Sequence, residues 1–189
     1  MTPELSEQAA WPVPVPDPGE ALWQFSLRFY RAPGVAPACL ALQDAHQVDV
    51  NLLLCLLWRA AQGDCIDPDR LAKLESAVAG WRAQLVAPLR GLRRELKERS
   101  ALTLPGVAPL REKIKALELE AEHLQQQRLA QVALQSDPRA AAAPGPANPG
   151  TPQDPGELAR AHLRHYETML GCRFDEALLN PLLQALAQA

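Results

Sequence analysis

The sequence predicts an all-α protein. One helical bundle spans residues 18–135, with a disordered N-terminal arm (1–17), a flexible Pro/Ala-rich linker (136–156) and a C-terminal helical pair (157–189). Three observations carry the prediction. Apolar side chains recur every three or four residues through most of the chain, the period of helices with one buried face. Openings such as Asp17-Pro18 and Asp67-Pro68, and closing glycines such as Gly63 and Gly171, bracket those stretches. The 18 prolines gather near residues 3–18 and 138–155, so they separate helices from tails more than they interrupt them. No segment reads as a strand, and 189 residues suit one modest core with appendages.

In chain order, the arm alternates Val and Pro over 12–16 beside Trp11, which favours extended polyproline-like backbone. It is acidic and proline-broken, unlike a signal peptide. The first helix runs from Pro18 to about Arg31 and carries Leu22, Phe25 and Phe29, which makes it a core element. Pro33-Gly34 turns the chain into a second helix over Val35–Gln47. Asp49 is placed to cap a third, Val50–Ala61, which is apolar on nearly all sides and is therefore expected to be surrounded by others.

A fourth helix opens at Pro68 and carries Leu71, Leu74, Val78, Trp81 and Leu85. Pro88 predicts a kink or restart near Val86–Pro88. Pro88–Arg99 is strongly charged, Ser100–Val107 is a loop, and a long helix follows from about Pro109 to Gln135. Leu110, Ile114, Leu117, Ala121 and Leu124 give it about two heptad-like repeats, too few for a coiled coil, so a bundle helix or hairpin is expected. After the low-complexity linker come Glu157–Leu170 and an Asp175-capped helix over Glu176–Ala187. Docking of this pair on the core is left open; the bundle is expected to fold without residues 137–189.

A net charge of −3 and a pI near 5.8 argue against a generic binder of phosphate backbones. Cys39, Cys55, Cys65 and Cys172 form no C-x-x-C pair, so reduced thiols in a cytoplasmic protein are expected. The apolar run Leu52–Trp58 is far shorter than the ~20 residues a membrane helix needs, and no membrane contact is expected.

Two places carry candidate sites. Asp44, His46, Asp49 and Asn51 form a polar corner before the most apolar helix. Acids beside an imidazole suit general-base chemistry or a divalent metal. Capping is the simpler use, since Asp49 and Asn51 can satisfy the free amides that open the helix, with Asp44 paired to Arg28 or Arg31. The second place is the run Arg90, Arg93, Arg94 and Lys97, aided by Arg82, a possible partner-contact face. Its interleaved Glu95 and Glu98 favour a solvated face with intrahelical ion pairs over a phosphate-binding one. His162 and His165 lack the spacing and intervening Glu of a zinc helix and are expected on an exposed face. No phosphate loop, nucleophile elbow or dinucleotide fingerprint is present, so no catalytic, cofactor-binding or metal residue is assigned and no cofactor is expected.

The block Phe25–Gly63, FSLRFYRAPGVAPACLALQDAHQVDVNLLLCLLWRAAQG, resembles an uncharacterised bacterial family, DUF2390, from Leu22 to about Gln135. Its aromatic first helix, polar-apolar corner and downstream Trp are matched by Trp23, Leu42-Gln43-Asp44, Val48-Asp49-Val50-Asn51 and Trp81. The resemblance implies a bacterial, cytoplasmic, helical protein and supplies no catalytic residues. Amphipathic helices without convergent nucleophiles, bases or ligands suggest a non-catalytic adaptor or regulator with a protein partner. In that reading Trp11 and the His162–Met169 helix anchor the partner. The alternatives are a metal- or small-ligand-binding enzyme at the Asp44/His46/Asp49 corner, and an RNA- or ribosome-associated factor using Arg82–Arg99. Nucleic acid is the less favoured partner, and the oligomeric state is not legible.

Overall fold

The structure, a computed structural model, describes residues 17–98, 106–136 and 154–188. The N-terminal arm with Trp11, most of the Ser100–Val107 loop and most of the linker lie outside the described residues. Every described element is helical, and no strand occurs among the described residues. The fold is all-α, as the periodicity predicts.

The helices are α1 Pro18–Phe29, α2 Val35–His46, α3 Val50–Ala61 and α4 Pro68–Trp81. A short π-helical turn, Arg82–Val86, leads into α5 Ala87–Glu98. Then come α6 Val107–Gln135, α7 Pro155–Leu170 and α8 Glu176–Leu186. Their boundaries follow the local chemistry. The Asp67 side chain accepts the Arg70 N–H to open α4, with Pro68 in the first turn where no N–H is needed. Asp175 does the same for α8 through the Ala177 N–H. Gly171 closes α7 in the left-handed region, φ 66°.

The predicted break near Pro88 is resolved upstream of the proline. In an α-helix the Pro88 ring would press on the Gln84 carbonyl, and that carbonyl would lose its donor. A π turn stands just ahead of the proline, with the Ala87 N–H reaching back five residues to the Arg82 carbonyl, and the helix continues.

α3 is the axis of the core. Asn51 through Ala60 are all buried, because α1, α6 and α7 pack around it. α5 folds back on α6 as a hairpin, and α8 lies on α2. Cys39 and Cys55 are buried here, and desolvation pushes both thiols up to about 12, so they act as small apolar side chains.

The C-terminal pair belongs to this core. Leu158, Leu163, Tyr166, Phe174, Leu179 and Leu182 are buried in the same cluster as Leu22 and Leu53. That packing shows the pair docked on the core, the point the sequence leaves open. It also corrects the exposed face expected for His162, whose side chain is fully buried against α3 and the loop before α4.

Another feature not expected from the sequence is a buried ionic knot. Asp64 receives Arg70 through both carboxylate oxygens at 2.9 Å and Arg59 at 2.7 Å. Arg59 is 1% exposed, and Arg70 also donates to the Ala133 carbonyl, so the knot ties the α3–α4 loop to the end of α6. Burial works against the charged Asp64, but the two guanidinium groups outweigh it and hold its carboxyl below the usual aspartate range.

Candidate functional site

The polar corner is built by a reversal of the chain. Gln47 ends α2 in the left-handed region, φ 58°, and the extended Asp49 then starts α3. Asp49 Oδ1 accepts the N–H groups of Asn51 (2.9 Å) and Leu52 (3.3 Å), the helix-cap geometry its position predicts. Its Oδ2 accepts from Arg82 at 2.8 Å and from the Gln125 side chain. The π turn presents Arg82, which also pairs with Glu75.

From Asp49 a chain of hydrogen bonds crosses the core. Asn51 Nδ2 donates to Gln125 Oε1 at 3.1 Å, Gln126 Nε2 donates to Asn51 Oδ1 at 2.9 Å, and Ser26 Oγ donates to Gln126 Oε1 at 2.9 Å. A buried network satisfied at both ends fixes the register of α1, α3 and α6.

The corner does not converge as a catalytic or metal constellation. Asp44 and His46 leave on other faces of α2: the half-buried His46 ring lies against Phe174, centroids 5.6 Å apart. Asp44 is exposed and reaches Arg94 at 3.5 Å rather than Arg28 or Arg31. Among the described residues no group of three or more His, Cys, Asp or Glu side chains is placed to hold a metal ion.

What the fold does bring together is the second candidate and part of the first. Asp44 and Asn51 line one wall of a cleft of about 490 Å³, and Arg90, Arg93, Arg94 and Lys97 line the facing one. Its apolar surface comes from Leu27 and Leu54, with Leu40 and Leu119 exposed among its lining residues. Trp23, stacked on His123 at 4.5 Å, and Tyr30 complete the α1 side.

The cations of this cleft are unequal. Glu118 on α6 pairs with both Arg90 and Arg93, and Arg90 also takes Glu122 and Gln43. These pairs run between helices rather than along α5. Burial opposes the charged Glu118, but Arg93 and Arg90 outweigh it and hold its carboxyl below the usual glutamate range. Burial dominates at Glu122 and raises its pKa despite Arg90. Arg94 and Asp44 are both more than half exposed, so their contact is weak. Lys97 is exposed and has no ion-pair partner among the described residues. Arg94 and Lys97 are therefore the cations open to an incoming group.

Sequence reasoning missed Glu118, Glu122, Gln125 and Gln126, the acids and amides that organise both walls. A signal existed: Arg90, Arg93, Arg94 and Lys97 stand at helix-face spacing, as do Glu118 and Glu122, and a hairpin sets two such faces together.

Among the described residues no helix is long and apolar enough to cross a membrane. Neither a curated protein nor a solved structure matches the chain. A family model described as a protein of unknown function, DUF2390, matches residues 21–129, which hold both walls of the cleft and the Asp49 network but neither α7 nor α8. That match covers more than half of the chain and takes in the aromatic first helix, the polar corner and Trp81, so the chain belongs to the DUF2390 family.

Proposed function

We propose that this chain is a non-catalytic helical adaptor or regulator of the cytoplasm, and that its cleft receives an amphipathic segment of another protein carrying acidic residues. The observation that carries this reading is the pairing, in one cleft, of an apolar floor with two exposed cations, Lys97 and Arg94, the latter met only by the exposed Asp44. An apolar helix face or extended segment buries its side chains against Leu27, Leu54 and Leu119, and its acids meet the cationic wall. The apolar contact supplies affinity and the charges orient the partner. Arg90 and Arg93 are held by Glu118 and serve as scaffold for that wall.

Affinity capture from a cell lysate tests it, comparing the full chain with Leu119→Glu and with the Arg94→Glu/Lys97→Glu double variant, at low and high salt and with nuclease. The expected result is one protein partner that resists salt and nuclease, is lost with Leu119→Glu and is reduced by the charge reversal. Recovery that depends on RNA and low salt overturns the reading in favour of a nucleic-acid role.

A further inference from the structure

The flank of α6 turned away from the cleft carries a second surface, largely open among the described residues. Leu110, Leu117 and Leu124 recur every seven residues, which keeps them in one stripe along the helix. All three are exposed, Leu117 at 53%. Glu118, one residue and so about 100° further round, faces Arg90 and Arg93, so the stripe lies to the side of the hairpin's ionic seam. Trp81, itself partly exposed, donates its indole N–H to the Ala121 carbonyl at 3.0 Å and meets Leu124 in a notch of about 290 Å³ with Ala77 and Val78.

Lys113 and Glu120, also seven apart, run along the outer edge of the stripe. Both are exposed, and neither has an ion-pair partner among the described residues.

We propose that this surface is where two copies of the chain meet, with α6 packed antiparallel on its counterpart about a two-fold axis at Leu117. The charges choose both occupant and direction. Antiparallel pairing sets Lys113 of one copy beside Glu120 of the other, twice, whereas parallel pairing carries the two charged edges to opposite sides of the seam, where they do not meet. The same arrangement lays Leu110 of one copy over Leu124 of the other, at the mouth of the notch beside Trp81. A self-complementary patch of this kind closes as a dimer and does not propagate. The surface is separate from the cleft, so the proposal stands apart from the partner-binding reading.

Sedimentation equilibrium of the full chain over a range of concentrations tests it. The wild type is expected to be a dimer, and Leu117→Glu a monomer with unchanged helical circular dichroism. Lys113→Glu and Glu120→Lys should each weaken the dimer about tenfold, and the two reversals together should restore it. Three results overturn the proposal: a wild-type monomer at every concentration, a dimer indifferent to Leu117→Glu, or a double reversal that fails to restore what the single ones lose. The charge variants alter only solvated side chains, so the test survives if Leu117→Glu proves poorly folded.

Discussion

Tyr166 Oη lies 2.9 Å from the backbone nitrogen of Asp49 and accepts its N–H, so a residue of α7 completes the corner that opens α3. Both residues are buried, so an Asp49 N–H deprived of this acceptor would bear the cost of its desolvation. Desolvation, with the Asp49 carboxylate nearby, holds the phenol well above its ordinary pKa, so it stays neutral. Tyr166→Phe removes one oxygen and leaves the Asp49 N–H unpaired. The expected cost is about 1–3 kcal/mol of folding stability, read from urea denaturation. A change within about 0.5 kcal/mol, the range of ordinary surface substitutions, would count against a closed corner.

Asp49 itself has two jobs, and two substitutions separate them. As a helix cap alone its loss costs about 1 kcal/mol. Its second oxygen also receives Arg82 and Gln125, and the stranded Gln125 amide adds about 1–3 kcal/mol. Asp49→Ala should therefore destabilise by roughly 2–4 kcal/mol. Asp49→Asn keeps a good cap while removing the charge that Arg82 meets, and should fall between wild type and Asp49→Ala. Equal losses for the two variants would mean that the Arg82 contact, and not the cap, carries the effect.

The difference between these two residues shows what could be read from the sequence. Asp49 precedes an apolar run, and capping is a local rule, so its role is legible from five residues. The same holds for Asp67, Asp175 and Gly171, whose helix boundaries are matched closely. Tyr166 acts across 117 positions of sequence, and no local pattern links it to Asp49. His162 and Arg59 were obscured for a related reason: polar side chains normally mark a solvated face, and here buried partners override that tendency. Of the cleft, the cationic wall was legible as a helix face. Its apposition to Asp44 and Asn51 depends on the hairpin of α5 and α6, which fixes where Glu118 meets Arg90 and Arg93.

Removing α7 and α8 tests how far the fold depends on that distant packing. Residues 154–188 cover α3 with Leu158, Leu163 and Tyr166 and cover α2 with α8, and each fully buried apolar side chain of this size is worth about 1.5–3 kcal/mol. Their summed loss exceeds the net stability of an ordinary domain. A chain ending at Ser136 should lose its cooperative thermal transition, seen by circular dichroism. A sharp transition in that fragment would show residues 18–135 to be self-sufficient.

His162 gives the fold a dependence on pH whose sign follows from its two bonds. Nε2 accepts the Ile66 N–H at 2.8 Å, and Nδ1 lies 3.0 Å from the Leu56 carbonyl, to which it donates. The neutral ring satisfies both, whereas a proton on Nε2 would meet the Ile66 N–H head-on. Burial accordingly lowers the pKa, with the Leu56 carbonyl pulling the other way. Because the folded state binds this proton less readily than the unfolded chain, the stabilisation is complete above the ordinary histidine value of about 6.5. It is lost as pH falls from there through the lowered folded value. The slope reaches at most about 1.4 kcal/mol per pH unit. Asp64 and Glu118, both held below their usual ranges, add a separate loss only at more acidic pH, and the raised Glu122 acts in the opposite sense. Urea midpoints measured from pH 8 to pH 5 should fall for the wild type. His162→Gln should begin lower and change less, so that the two curves converge on acidification. Parallel curves would place the titration elsewhere and remove His162 from the account.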